Sequence, residues 1–260
     1  MTSEVPTPPW QRSPRRPSRA RRDPITAEAI TDAAIKILDS EGLDGLSMRR
    51  VADALDTGPA SLYWHVGSKD GLLDLIFDRL IGELKVPEPD GPRWKEQLKE
   101  VAMDQRAMIL RHRDLVTISM GRIPMGPNAL RYTEQVVSIL RAGGVPDDLA
   151  VSGYLLLFAV VNGFTMDELH PVTGTGEGQE PPSPSQVSDF MAMLPADQFP
   201  NTIALAPHFA VGNEDQRFEM LIDIYVDGLA QRATRASATG HPDCDGDRPA
   251  TGPRRFDLSE

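Results

Sequence analysis

The chain has 260 residues, of which 40% are hydrophobic and 25% charged, and a formal net charge of −11. A chain of this length can bury a sizeable core in one or two domains. Its single cysteine, Cys244, excludes an intrachain disulfide framework and a cysteine-ligated metal site within one chain. We expect a soluble, cytoplasmic protein, since no secretory h-region follows the N-terminal arginines and no apolar run approaches the roughly 20 residues that span a bilayer.

Charge is distributed unevenly along the chain. Residues 1–22 hold six arginines against one acidic residue, Glu4, a local charge of +5. Residues 23–70 hold four basic and nine acidic residues, so the first 70 residues are neutral in sum and the remainder holds the whole −11. A basic arm that offsets the charge of the domain beside it, followed by an acidic second domain, is typical of a DNA-binding regulator, because phosphates attract the arm and repel the acidic domain.

The N-terminal segment 1–23 is rich in Pro, Ser and Arg, and we expect it to form a disordered arm. The arm is either a solvated tail or a contact to phosphates or the minor groove, and the sequence leaves both open. The first helix is predicted from Thr26, a suitable N-cap, to Ser40. Its apolar residues recur at helical spacing, and Glu41-Gly42 is expected to end it.

The next stretch, residues 43–69, predicts two short helices joined by a tight turn. Asp56-Thr57-Gly58 interrupts the apolar pattern of the first, and Gly58 is free to supply the positive φ that a sharp turn needs. Pro59 suits the first position of the second helix, which runs to His65, because the N–H at that position has no intrahelical partner. This arrangement predicts a helix-turn-helix whose second helix enters the DNA major groove.

Ser68 is predicted to cap a fourth helix over 68–84, and the Pro-rich segment 87–92 marks a break after it. Apolar periodicity beyond the break predicts helices at roughly 93–112, 114–120, 126–142, 147–168, 187–194 and 214–234. The stretch 170–185 is interpreted as a flexible surface loop rather than a phosphate-binding loop, since no strand precedes its glycines. Residues 236–260 are predicted to be a disordered tail.

These elements predict an all-α fold of two parts, an N-terminal three-helix helix-turn-helix DNA-binding domain over 24–70 and a C-terminal helical domain over 71–235. The 147–168 helix is apolar nearly all round, and the 214–234 helix has a broad apolar stripe. Such helices must be buried on most sides. Either an intrachain core or a dimer interface would bury them.

The segments SLYWHV (61–66) and SKDGLL (68–73) resemble the TetR family of bacterial repressors, and the YWHV form resembles its tetracycline-repressor branch. The similarity continues in three later segments, RHRD (111–114), GRIP (121–124) and Phe164-Thr165. The resemblance implies that the C-terminal domain binds an effector and forms a homodimer through the helices near 147–168 and 214–234. It also implies repression through a palindromic operator, with the DNA-binding domains of the two chains in successive major-groove faces.

The resemblance further assigns DNA contacts by matching positions. They are Arg49, Pro59, Ala60, Ser61, Tyr63, Trp64, His65 and Lys69. An arginine can pair with guanine or a phosphate, and a lysine at a helix N-terminus, such as Lys69, favours a phosphate. Trp64 could pack against the first helix instead. Because Pro59, Ala60 and Ser61 differ from the tetracycline repressor at its recognition positions, that repressor's operator is not implied.

The effector site departs from the resembled branch. A histidine that chelates magnesium-bound tetracycline there corresponds to Ser119 here, so we expect a different effector, no metal and no cofactor. The ligand is expected to be a hydrophobic or amphipathic small molecule. The residues predicted to contact it, each of which could equally be core, are Trp94, Leu98, Gln105, Met108, His112, Ser119, Met120, Tyr132, Gln135, Phe158 and Asn162.

An enzyme is not expected, because the sequence contains no GxSxG, HExxH or Walker A motif and its five histidines are scattered. A second interpretation stays open, that of an architectural or ligand-independent DNA-binding protein. Such a protein would bind DNA regardless of small molecules and of operator symmetry.

Overall fold

The structure, a computed structural model, describes residues 25–169, 182–209 and 213–238. Every regular element within these ranges is helical, which confirms the predicted all-α fold. The predicted arm, the glycine-rich stretch 170–181, Cys244 and the tail beyond residue 238 lie outside the described residues.

The described part of the chain contains a short 3-10 turn at Gly91–Arg93 and a series of α-helices. In chain order the α-helices are α1 (Ala27–Gly45), α2 (Met48–Ala54), α3 (Pro59–Val66), α4 (Lys69–Ile81), α5 (Trp94–Arg111), α6 (Leu115–Ser119), α7 (Pro127–Ala142), α8 (Asp147–Leu169), α9 (Pro184–Ala192), α10 (Pro200–Phe209) and α11 (Glu214–Ala238). The short helix α10 was not predicted, and α11 extends past residue 235, where the sequence predicted the domain to end.

Helix α1 begins as predicted, with the Thr26 side chain accepting the N–H of Ala29 at 3.1 Å. It kinks at Gly42, which adopts φ 77°, and then continues for one more turn. A Cβ at Gly42 would lie 2.7 Å from a carboxylate oxygen of Asp114, so the glycine is required for close approach as well as for its backbone angle. That carboxylate accepts the N–H of Leu43 at 2.7 Å and joins α1 to the loop after α5.

The turn between α2 and α3 differs from its prediction in one detail. Asp56 adopts the positive φ of 47°, whereas Gly58 is extended, with φ −85°, and serves as the N-cap of α3. Asp tolerates the left-handed region better than most residues. Pro59 occupies the first turn of α3 as expected, and Leu62 and Val66 bury the inner face of that helix.

Helix α4 starts as predicted, with the Ser68 hydroxyl accepting the N–H of Gly71 at 2.9 Å. It ends at Ile81, one turn before the predicted end at residue 84. There the backbone changes to i→i−3 hydrogen bonds: the N–H of Glu83 donates to the carbonyl of Leu80, and the N–H of Leu84 donates to the carbonyl of Ile81. Gly82, with its low helix propensity, stands at this transition.

An ion cluster around a buried arginine ties α5, α8 and α11 together. Arg106, only 5% exposed, donates to the Glu168 carboxylate at 2.8 and 2.9 Å and to Asp215 at 2.8 Å. Its guanidinium carbon lies 4.9 Å from the ring centroid of Phe218 and 5.8 Å from that of Phe164. The hydrogen bond to Glu168 raises the pKa of Arg106, because it favours the charged form.

Helix α8 corrects one expectation from the sequence. At 23 residues it is long and apolar enough, by length and composition alone, to cross a bilayer. The expectation that no apolar run approaches that length is therefore wrong, since occasional Gly, Ser, Asn and Thr interrupt the run without making the helix polar. The residues Ala150, Gly153, Leu157, Val161 and Thr165 bury one face of α8 inside the chain, and the opposite face is exposed.

Candidate DNA-binding surface and effector cavity

The predicted DNA contacts lie on one continuous surface formed by α2, α3 and the start of α4. Arg49, Pro59, Ala60 and Lys69 are exposed, and Ser61 and His65 are partly exposed. Tyr63 and Trp64 are 49% and 50% exposed although they are large aromatic residues. Since Leu62 and Val66 hold the other face of α3 in the core, the polar and aromatic face of the helix is left exposed.

Local contacts orient this surface. The Trp64 ring meets the His65 ring edge-on, with the ring centroids 4.7 Å apart, and half of Trp64 stays accessible. Arg49 lies 3.9 Å from Asp53 in a solvent-exposed i,i+4 pair, which costs little to exchange for a phosphate. Lys69 stands in the first turn of α4, where the helix dipole adds to its positive charge.

A small closed cavity lies among α4, α5, α6, α7 and α8, with a volume of about 10 Å³, room for about one water molecule. Six of the predicted effector residues line it, namely Gln105, Met108, Ser119, Tyr132, Phe158 and Asn162. Sequence reasoning missed the residues that α4 and its neighbours contribute, which are Phe77, Ile81, Leu84, Ile109, Leu115, Pro124, Ala129 and Tyr154. The apolar stripe of α4 was a usable signal, because it continues beyond the part of that helix that braces the DNA-binding domain.

Hydrogen-bonding side chains run along one wall of this cavity. The Tyr132 hydroxyl donates to Gln105 Oε1 at 2.9 Å, and Gln105 Nε2 donates to Asn162 Oδ1 at 3.3 Å. Asn162 Nδ2 reaches the Ser119 hydroxyl at 3.5 Å. The last two bonds are long, and a ligand could replace them at small cost.

The cavity is electrically neutral, since none of the described residues that line it carries a charged side chain. Burial raises the pKa of the Tyr132 phenol far above its usual value and that of Tyr154 in the same direction. Both phenols therefore stay protonated and can donate hydrogen bonds. An isolated buried charge is costly, so the inner cavity favours an uncharged group.

Five predicted effector residues lie elsewhere. Leu98 is fully buried in the core, Trp94 packs on the backbone at Gly143, and Gln135 lies half-buried on α7. Met120 is 57% exposed, because it follows the end of α6 and turns to solvent.

His112 is the fifth of these residues and lies at the joint between the two domains. One of its ring nitrogens lies 3.1 Å from the Asp39 carboxylate on α1, and the other lies 3.4 Å from Glu83. Its two nitrogens are therefore engaged with the chain's own carboxylates, and the side chain does not line the cavity.

Within the described residues, no group of three or more His, Cys, Asp and Glu side chains is arranged to hold a metal ion.

A helix-turn-helix surface joined to a helical domain with an internal cavity defines a DNA-binding regulator. Comparisons with known proteins give the family. The sequence pattern of the tetR family of bacterial regulatory proteins matches residues 30–76, and that of the tetracyclin repressor-like C-terminal domain matches residues 86–233. The chain belongs to the TetR family of ligand-responsive, DNA-binding transcriptional regulators.

Several relatives have been characterised. Apo ActR from Streptomyces coelicolor is 42% identical, with a TM-score of 0.75, and the match covers 83% of this chain and all of ActR. ActR has also been solved with actinorhodin and with (S)-DNPA. The transcriptional repressor DrrR1 of Streptomyces coeruleorubidus is 37% identical over 157 residues, 60% of this chain and 58% of DrrR1. The match thus spans less than two thirds of that relative's length.

The resemblance to the tetracycline-repressor branch is confirmed as well. The class A tetracycline repressor from Escherichia coli transposon 1721 is 27% identical over 211 residues, 80% of this chain and 92% of that protein. These relatives are regulators of transcription rather than enzymes. Regulators of this family bind DNA, form dimers and bind small molecules.

Proposed function

We propose that this protein is a homodimeric, cytoplasmic transcriptional repressor that binds a palindromic operator and is released from it by a small hydrophobic or amphipathic effector. It has no enzymatic role in this proposal. The observation that carries it is the position of α4, which starts at the DNA-binding surface with Lys69 and lines the cavity with Phe77 and Ile81. A ligand that enlarges the cavity by displacing α4 would move the DNA-binding domain with it.

The proposed dimer forms through α8 and α11. The face of α8 that points away from the core exposes Val151, Leu155 and Leu156, and α11 exposes Met220 and Ile224. Only 28% of the apolar 18-residue stretch of α8 is buried within one chain. An exposed apolar face of this kind marks an interaction surface. A second copy of the chain would cover it with the same two helices.

Replacing Leu155 with glutamate is expected to convert the dimer into a folded monomer. Leu155 is 59% exposed in one chain, so the charge does not disturb the protomer, but it would be desolvated twice in a symmetric interface. Mass measurement by light scattering after size-exclusion chromatography gives the oligomeric state, and circular dichroism checks the fold. Leu110→Glu, on the partly exposed side of α5, is the matched control and should stay dimeric. A dimeric Leu155→Glu would place the interface elsewhere.

The effector contacts proposed here are the six predicted residues that line the cavity. Ligand and operator would bind with opposing preference, and the coupling is reciprocal and typically about 1–3 kcal/mol. We also propose that the residues of the DNA-binding surface make the operator contacts and that the domain boundary lies along α4.

The test is fluorescence anisotropy of the protein against its own upstream DNA and against a scrambled duplex, titrated over salt. Binding confined to the native duplex, at two chains per site, supports the proposal. Equal, weak and strongly salt-dependent binding to both duplexes favours the architectural alternative, provided that no other upstream fragment is bound specifically.

A further inference from the structure

A second and larger concavity lies between the two domains. It has a volume of about 390 Å³ and is bounded by the end of α3, by α4 and by the loop between α6 and α7. Residues 122–126 of that loop, with Pro127 at the start of α7, form its outer wall, where Ile123 is 82% exposed. A volume of this size lies within the range of small-molecule sites in proteins, whereas the inner cavity in the present state holds about one water molecule.

The cleft and the inner cavity share a wall. Phe77, Pro124 and Ala129 line both spaces. Phe77 is a side chain of α4, and Pro124 belongs to the loop, so a small separation of the loop from α4 would join the cleft to the cavity.

Polar contacts at successive turns of α4 hold the loop in place. The Arg122 guanidinium pairs with Asp70 at 3.1 Å and also with Asp74. One turn further, the Asp78 carboxylate accepts the N–H groups of Asn128 at 3.0 Å and Ala129 at 2.9 Å, at the start of α7. The contacts that close the shared wall therefore belong to the helix that begins at the DNA-binding surface.

We propose that the cleft is the outer part of the effector site, that ligands reach the inner cavity by parting Phe77 from Pro124, and that Arg122 is the latch that keeps this route closed. The inference rests on the proposed function, since it concerns the same effector.

The lining specifies the ligand class. The inner end is apolar with neutral hydrogen-bonding groups, and the cleft contains three carboxylates, of Asp70, Asp74 and Asp78, against the single guanidinium of Arg122. An anionic end would meet this negative excess. The ligand is therefore an elongated molecule with an apolar body and a polar end that is uncharged or cationic.

The experiment uses the full-length protein and the uncharged fluorophore 1-N-phenylnaphthylamine, whose emission rises in apolar surroundings. Stopped-flow mixing gives its association rate. Arg122→Gln should raise that rate at least fivefold, because the latch is removed, and the melting temperature should change little. Arg217→Gln, which removes an ion pair with Glu214 on α11, away from the cleft, is the control and should leave the rate unchanged. The anionic analogue 8-anilinonaphthalene-1-sulfonate should bind at least tenfold more weakly to the wild type.

A second variant tests the route without removing the latch. In a Cys244→Ser background, Ile123→Cys alkylated with N-phenylmaleimide should slow probe association at least fivefold, whereas alkylated Met193→Cys, at an exposed position directly after α9, should not. Probe binding at equal rates in all variants would overturn the inference. The proposed function would then stand, with the effector entering by another route. Absence of probe binding in a protein that still binds its operator specifically would also overturn it. Failure of operator binding itself would instead count against the proposed function.

Discussion

Replacing Tyr63 with alanine is expected to weaken operator binding by about 1–3 kcal/mol, roughly 5- to 150-fold in Kd, the range for loss of one specific DNA contact. Tyr63 is half exposed on the outer face of α3, and its ring has no structural role in the core that Leu62 and Val66 form. Stability and dimerisation should therefore not change. Anisotropy titration against the native duplex measures the loss.

Phe190→Ala on α9 is the matched control for Tyr63→Ala, because it also removes an exposed aromatic ring, 62% accessible, far along the chain from α3. It should bind the operator like the wild type. An unchanged Kd for Tyr63→Ala would mean that this side of α3 does not contact the major groove. A loss that is equal on native and scrambled duplexes would assign Tyr63 to the phosphate backbone rather than to the bases.

Replacing Arg106 with methionine is expected to lower the free energy of unfolding by about 3 kcal/mol, the lower end of the range for breaking a buried ion pair. The substitution leaves the Glu168 carboxylate without its bidentate partner in a site that is only 18% exposed. It also removes the cation that lies on the Phe218 ring. Urea denaturation followed by circular dichroism at 222 nm measures the change.

Arg217→Met provides the comparison for Arg106→Met. Arg217 also lies over the Phe164 ring, at 5.6 Å, but its side chain is 54% exposed and pairs only with Glu214 one turn away. Such an exposed pair contributes about 0–1 kcal/mol. Equal effects of the two substitutions would mean that burial of the Arg106 cluster is energetically unimportant. The double change Arg106→Met with Glu168→Leu should recover part of the stability, because no buried carboxylate is left without its partner, and Asp215, the other partner of Arg106, is 69% exposed.

The sequence predicted the helices of the helix-turn-helix and their caps well for a local reason. The caps at Thr26 and Ser68, the proline at the start of α3 and the alternation of buried and exposed positions all act within one or two turns of the chain. Even so, the positive φ fell on Asp56 rather than Gly58, because the residue that takes the strain of a tight turn depends on how the two helices pack.

The lining of the inner cavity, the proposed effector site, was predictable only in part. Side chains in the middle of long helices, such as Tyr132 and Asn162, lie where helical spacing predicts. Met120 and His112 follow helix ends, and there the chain direction after the last turn decides whether a side chain lines a cavity, meets Asp39 or faces solvent.

The sequence by itself determined the all-α fold, the helix-turn-helix and the family, because these depend on short-range patterning and on motifs. Only the tertiary structure decided that Arg106 meets Glu168, 62 residues away, and Asp215, 109 residues away. It alone also decided that α4 borders both an interdomain cleft and a closed cavity. Partners so distant along the chain leave no periodic trace, since their pairing follows from how whole helices pack.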